Sequence, residues 1–252
     1  MNNSQIKSLL HSSETINHEL VFQLMQGVGV DVDHEIAQLL VRDHEGLFKC
    51  FEYQWINVLN KIKTLNYSYQ PLPSLPAEIK HLTDLEELSI NHNYIKELPT
   101  EIGFLTKLRK LIVNYNALKD VPESIGNLTQ LEELSLVGNS LTEIPKSIQQ
   151  LQNLEILSLI DNQLTEIPRF IIKLFKLKKL ILRANHLEQL PLQLVHLNDL
   201  EILDLGENQL TKLPTELNQL RNLRILYLER NKLALREQDR ISNLLPNTVI
   251  YF

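Results

Sequence analysis

Apolar residues along this chain follow one template, L-x-x-L-x-L-x-x-N-x-L-x-x-L-P, that returns every 23 residues. Its first leucine stands at Leu85, Leu108, Leu131, Leu154, Leu177, Leu200 and Leu223. Its asparagine stands at Asn93, Asn116, Asn139, Asn162, Asn185, Asn208 and Asn231, and its proline at Pro99, Pro122, Pro145, Pro168, Pro191 and Pro214. Alternation within L-x-x-L-x-L predicts a strand with one buried face, so Leu88 and Ile90, or Leu134 and Leu136, point inward. The second half of each repeat carries two more apolar columns, Ile102, Ile125, Ile148, Ile171, Leu194 and Leu217, and Leu105, Leu128, Leu151, Leu174, Leu197 and Leu220. The columns lie three residues apart, which predicts a helical turn opened by the proline, whose fixed φ suits a first turn. One such repeat cannot bury its apolar face alone. The expectation is therefore a solenoid: parallel strands stacked into one sheet, helical turns behind them, and an asparagine where the backbone turns inward. An amide that both donates and accepts can satisfy the buried polar groups of that turn.

Both ends depart from the template. Residues 1–61 lack it and show helical spacing instead, which predicts an α-helical N-terminal cap of two to four short helices. Ile16, Leu20, Val21, Leu24 and Met25 form one stripe, ended by Gly27 and Gly29. Asp33 is positioned as the N-cap of a second stripe with Ile36, Leu39 and Leu40, and Phe48, Phe51, Trp55, Val58 and Leu59 form a third. Residues 62–235 hold eight repeats, the first degenerate, with Gln70 in the place of asparagine, and the last incomplete. Residues 236–252 read as a C-terminal cap: a polar helix, a Pro246-Asn247 turn and a strand through Val249 to Phe252. No catalytic domain is expected beyond it.

The template resembles the leucine-rich-repeat family in its 23-residue form with a Leu-Pro step, as in Ras-group scaffold proteins and many bacterial repeat proteins. The resemblance implies an α/β solenoid, a curved horseshoe whose parallel sheet lines the concave face. It also implies binding of a protein partner on that face rather than catalysis.

A partner would meet the outward-facing strand residues, which the core leaves free to vary. The early repeats offer small polar and acidic groups there. From Val137 onward apolar residues accumulate, with Ile156, Ile160, Ile181, Ile202, Ile225 and Tyr227 flanked by Lys179, Arg183, Asp204, Glu207, Glu229 and Arg230. An apolar centre with a charged rim and an aromatic anchor suits a protein interface. The same isoleucines also favour an extended strand, which explains Ile156, Ile202 and Ile225 without a partner. Tyr69, His92 and Tyr115 share one column and read as surface aromatics.

The bulk properties narrow the function. Net charge is −6, and residues 1–61 hold four Lys and Arg against eight Asp and Glu, so no basic stripe calls for nucleic acid or an anionic membrane. No apolar run reaches the roughly 18 residues of a membrane helix. The first residues, MNNSQIKSLLHSSE, lack the basic head and apolar run of a signal peptide. Cys50 is the single cysteine, so no disulfide can form within the chain, and a cytoplasmic location is expected, with signal-less secretion as the alternative. Gly27-Val28-Gly29 fails as a nucleotide loop, and Asp31 to Glu35 lacks the glycine and late glutamate of a calcium loop. Cys50 and the histidines His11, His18, His34 and His44 form no catalytic or zinc motif, and Cys50 reads as a half-buried structural thiol. The expectation is a cytoplasmic, non-enzymatic signalling scaffold without cofactor or metal, monomeric unless the last strand pairs with a second copy. A regulator or secreted effector that docks onto a signalling enzyme is the alternative.

Overall fold

The computed structural model describes residues 3–11, 21–23, 25 and 32–252. Nine parallel strands lie side by side in chain order: β1 Thr64–Asn66, β2 Glu87–Ser89, β3 Lys110–Ile112, β4 Glu133–Ser135, β5 Ile156–Ser158, β6 Lys179–Ile181, β7 Ile202–Asp204, β8 Ile225–Tyr227 and β9 Val249–Tyr251. Thr64 lies beside Glu87, Glu87 beside Lys110 and Lys110 beside Glu133, so the sheet register reproduces the sequence period. At β9 the register slips by one residue, with Ile225 beside Val249. The central leucine of each repeat strand, Leu65 through Leu226, is buried against the core, and its neighbours face out.

Seven 3-10 turns form the opposite wall: η1 Ala77–His81, η2 Thr100–Phe104, η3 Glu123–Asn127, η4 Lys146–Gln150, η5 Arg169–Lys173, η6 Leu192–His196 and η7 Thr215–Gln219. The expected helical turns are present, but they are 3-10 turns. In such a turn side chains at i and i+3 eclipse, so the spacing of three aims both Ile102 and Leu105 into the core. The proline stands one place earlier than expected. It caps the turn with extended ψ, as in Pro99 at φ −65° and ψ 147°, and its carbonyl accepts the first hydrogen bond, from Ile102 N at 3.0 Å.

Between the walls the asparagines clamp each coil to the one before. Asn162 is 5 % exposed. Its Nδ2 donates to Leu136 O of the preceding strand at 3.0 Å and to its own Leu159 and Ile160 carbonyls at 3.2 Å. Its Oδ1 accepts from Leu141 N at 3.0 Å. Asn139, Asn185 and Asn208 repeat the arrangement, each between the preceding strand and the loop after it. The residue before each asparagine, and before Gln70, is left-handed: Tyr69, His92, Tyr115, Gly138, Asp161, Ala184, Glu207 and Arg230 have φ between 52° and 64°. Only one of the eight is glycine, so the clamp sustains a conformation that side chains disfavour by about 1–2 kcal/mol. Gln70 departs from asparagine because no coil precedes it. Its longer side chain reaches into the N-terminal helices, where Oε1 accepts from His44 N at 3.0 Å.

Those helices are α1 Asn3–His11, α2 His34–Leu40, α3 His44–Glu52 and α4 Ile56–Leu59. Asp33 caps α2 as expected, accepting from Ile36 N at 2.9 Å, and Asp43 caps α3 in the same way through Gly46 N. The first helix, α1, was not expected; it buries Ile6 and Leu10. The predicted third stripe is displaced. Leu47 and Cys50 are the buried face of α3, whereas Phe48 is 37 % exposed. Gln54, at φ 55°, breaks the helix before Trp55. Tyr53 and Trp55 then pack around Phe22, with ring centroids 5.3 and 4.8 Å away. Residues 16, 20, 24, 27 and 29 of the first stripe lie outside the described residues. The helices share one apolar core with the repeats, and the buried Tyr67 hydroxyl donates across the junction to Val41 O at 2.9 Å.

At the far end, α5 Leu235–Leu244 replaces the next turn. Glu237, where the Leu-Pro step fails, accepts from Leu213 N at 2.9 Å, and Arg240 donates to Leu213 O at 2.5 Å. Beyond it β9 pairs with β8, and Leu228 N donates to Tyr251 O at 2.7 Å.

Asn162→Val removes one acceptor and three donations from a buried turn. Urea unfolding is expected to show a loss of about 2–4 kcal/mol, since each stranded buried group costs about 1–3 kcal/mol. Stability within about 0.5 kcal/mol of the parent would show that the clamp is dispensable.

Candidate partner-binding face

Three columns of outward side chains cross the sheet. The register sets Ile156, Lys179, Ile202 and Ile225 side by side in the first column. It sets Ser158, Ile181, Asp204 and Tyr227 together in the second. Ile160, Arg183 and Glu229 belong to the third, one step past the strands. All ten candidate residues therefore lie on one face of repeats five to eight, but they do not surround an apolar centre. Ile156, Ile160, Ile181, Ile202 and Ile225 are half-buried by their neighbours, and Lys179 is exposed. The charged groups gather on the side away from the first column.

Arg183 is the centre of that charged cluster. Its guanidinium lies 3.1 Å from Glu207, 3.5 Å from Glu229 and 3.7 Å from Asp204. Arg230 approaches Glu207 from outside, at 3.5 Å. Gly206 makes the cluster possible: a Cβ there would stand 2.6 Å from Arg183 Nη1. Glu207 and Arg230 take part as the sequence places them; what the strand pattern did not show is the role of Gly206, which leaves room for the guanidinium. Asp204 is buried, and its Oδ1 accepts from Gly206 N at 3.0 Å. Burial raises its carboxyl above the ordinary range, and the Gly206 hydrogen bond and Arg183 only partly oppose this. Asp204 is thus a structural acid under Arg183 and not part of an exposed rim.

Tyr227 is not a free anchor either. Its ring stacks on Tyr251 of β9, centroids 4.9 Å apart and 10° from parallel, so one face is covered. Tyr251 is the more exposed ring of the pair. The predicted strand did not single it out, because the slip of register that places it there is set by the preceding turn.

The early repeats hold a second feature of the same face. Tyr69, His92 and Tyr115 stack in one ladder, with successive centroids 4.4 Å apart. The ladder ends over Gly138, where an added Cβ would meet the Tyr115 ring at 2.5 Å. Beside it, Asn66, Ser68, Ser89, Asn91 and Asn114 line a shallow cleft of about 430 Å³ without a charged side chain. The aromatics are on the surface, as expected. Their shared left-handed backbone is what brings the rings into a stack, and stacked aromatic pairs contribute about 0.5–1.5 kcal/mol. Ahead of the strands runs a line of exposed ion pairs, Lys63–Glu86, Arg109–Glu132, Lys178–Glu155 and Arg224–Glu201. Such pairs contribute little individually.

Among the described residues, Cys50, His44 and Asp33 are held in structural roles. Cys50 is fully buried rather than half-buried, and burial pushes its thiol up to about 12. His44 is engaged with Gln70 Oε1 at 3.0 Å, and Asp33 of the DVDHE segment caps α2 and pairs with Lys7 at 2.9 Å. Among the described residues no group of three or more His, Cys, Asp and Glu side chains is arranged to hold a metal ion. None of their helices is long and apolar enough to cross a membrane.

Two outcomes follow. Cys50 is expected to react with a neutral disulfide reagent no faster than the N-terminal helices open, so its rate should match their hydrogen exchange; a fast reaction with folded protein would refute burial. Asp204, raised in the folded state, contributes stability that is full below about pH 3.9 and is lost as pH rises through its folded value. Asp204→Asn should abolish that fall in urea-unfolding free energy, and an unchanged pH profile would show that Asp204 titrates normally.

Comparison with known proteins agrees with this architecture. A family model described as a leucine-rich repeat region matches residues 39–140, and a second, described as a leucine rich repeat, matches residues 129–187 and 175–233. Internalin C2 from Listeria monocytogenes str. 4b F2365 is similar in structure, with a TM-score of 0.68 and 25% identity over 78% of this chain and 82% of that one. The structure of PEPR1-AtPEP1 matches with a TM-score of 0.63 and 25% identity over 69% of this chain, which spans 26% of the length of its counterpart. No curated protein matches the chain in sequence. Nine parallel strands in one sheet, 3-10 turns behind them and two matching repeat models lead to one assignment: the chain belongs to the leucine-rich-repeat proteins.

Proposed function

We propose that this chain is a non-catalytic scaffold that holds a protein partner on the concave, outward face of its sheet, over repeats five to eight. Leucine-rich-repeat proteins generally act in protein–protein interaction and are typically not catalysts. The observation that carries the site is that the Ile156, Ile202 and Ile225 column and the Arg183 cluster share one wall of paired strands, with Ile181 between them. Because strands and clamps fix these side chains in advance, a partner binds without ordering loops, which removes much of the entropic penalty of association. Ile181 and Lys179 would supply contact on one side, and Arg183, Glu207 and Glu229 would set charge preference on the other. Tyr251 joins the site as the exposed half of its stack with Tyr227. A cytoplasmic, monomeric scaffold in a signalling pathway is the setting we propose, in keeping with a single, deeply buried cysteine.

Affinity capture with the parent chain is expected to recover a partner that the Ile181→Glu, Tyr227→Glu double variant loses by at least about tenfold, with matched melting curves. A partner held equally by both chains would move the site off these strands.

A further inference from the structure

The wall of 3-10 turns changes character along the array. Turns η1, η2, η3 and η7 each carry an acidic residue, Glu78, Glu101, Glu123 and Glu216. The three turns between them, η4, η5 and η6, carry none. They carry Lys146, Arg169 and Lys173 instead, and Lys176 follows η5 three residues on. None of these cations makes an ion pair among the described residues; Lys176 donates to the neutral Asn153 Oδ1 at 2.8 Å.

The same stretch exposes apolar side chains at places where other repeats carry polar ones. Phe175 occupies the column of Thr106, Thr129, Gln152, Asn198 and Arg221, and is 53 % exposed. Leu192 occupies the column of Thr100, Glu123, Lys146, Arg169 and Thr215, and is 55 % exposed. Phe170 and Ile172 of η5 are partly packed on the core. Successive turns touch, and Arg169 and Leu192 line one cleft of about 440 Å³ between η5 and η6, with Glu166 as the single acid on its lining. The core has no use for Phe175 or Leu192. Glu123 reaches η4, where its carboxylate accepts from Lys146 N and Ser147 N, so the cationic and apolar region centres on η5 and η6.

We infer that this wall, centred on η5, docks on an anionic phospholipid surface. Apolar side chains that protrude between unpaired cations suit the boundary between headgroups and acyl chains, where the cations meet lipid phosphates and carboxylates. An acidic protein partner would need a fitted recess for each of Phe175 and Leu192, whereas a bilayer receives both without one. The surface lies opposite the sheet, so membrane attachment would leave the proposed partner face open. The whole-chain charge of −6 conceals the patch, because the acids that outweigh it lie elsewhere, eight of them within residues 1–61.

The test is co-sedimentation of the full chain with vesicles of phosphatidylcholine alone and of equimolar phosphatidylcholine and phosphatidylserine, at low and raised salt. The chain is expected to pellet with the phosphatidylserine vesicles only, and to be released by salt. Arg169→Glu with Lys173→Glu should lower the bound fraction at least about tenfold, as should Phe175→Ser with Leu192→Ser. Ile181→Glu, on the opposite face, should bind as the parent does. All five positions are solvent-facing or half-exposed, and melting curves would confirm folding. Absence of binding to phosphatidylserine vesicles overturns the inference. Equal binding to phosphatidylcholine, retention by either double variant, or binding to polyglutamate without binding to vesicles also overturns it.

Discussion

Each coil of this solenoid turns inward at an asparagine whose side chain serves two coils at once. Nδ2 takes carbonyls of its own turn and of the preceding strand, and Oδ1 takes an N–H of the loop that follows that preceding strand. The turn is buried, so its polar groups have no water to fall back on, and each would be expensive to leave unpaired. The left-handed residue before the asparagine, the inward leucines and the parallel pairing of strands all need that clamp to close. Loss of one clamp loosens two coils, because neither half of the hydrogen-bond set belongs to a single repeat.

Strict repetition has a consequence for function. When every coil is held to its neighbour at the same atoms, residues one period apart in sequence become neighbours in space at strand spacing. Isolated residues then add up to surfaces. Ile202 and Ile225 become neighbours, three aromatics become a stack, and one arginine gathers acids from two further coils. On the opposite wall, the exposed side chains of η5 and η6 become one cationic and apolar region. Sheet face and turn face are separated by the core, so the two can serve different partners without competition.

The ends show how an open array is closed. Gln70 keeps the amide of the repeat asparagine but turns it toward α3, because no earlier strand exists to receive it. At the other end Glu237 and Arg240 take the backbone groups of Leu213. Each is a departure from the template that would look like sequence decay in isolation, and each supplies hydrogen bonds that a further coil would have supplied.

The periodicity alone determined the solenoid, the sheet order, the inward leucines, the asparagine turns and the outward columns, because a period of 23 residues with alternating leucines has one way to bury them all. It also located the helix and strand that follow Leu233, and Asp33 as a cap, since these depend on local hydrogen bonds. Tertiary structure decided what depends on neighbours across coils. The burial of Asp204 under Arg183, the pairing of Tyr227 with Tyr251, the Tyr69–His92–Tyr115 stack and the inward turn of Cys50 rest on atoms supplied by other segments. The proline took its place as a cap, and the turns became 3-10, because the return to the next strand leaves room for one short turn only. A repeat can be read one copy at a time; what its exposed side chains do is fixed only when the copies are stacked, because their partners lie one coil away.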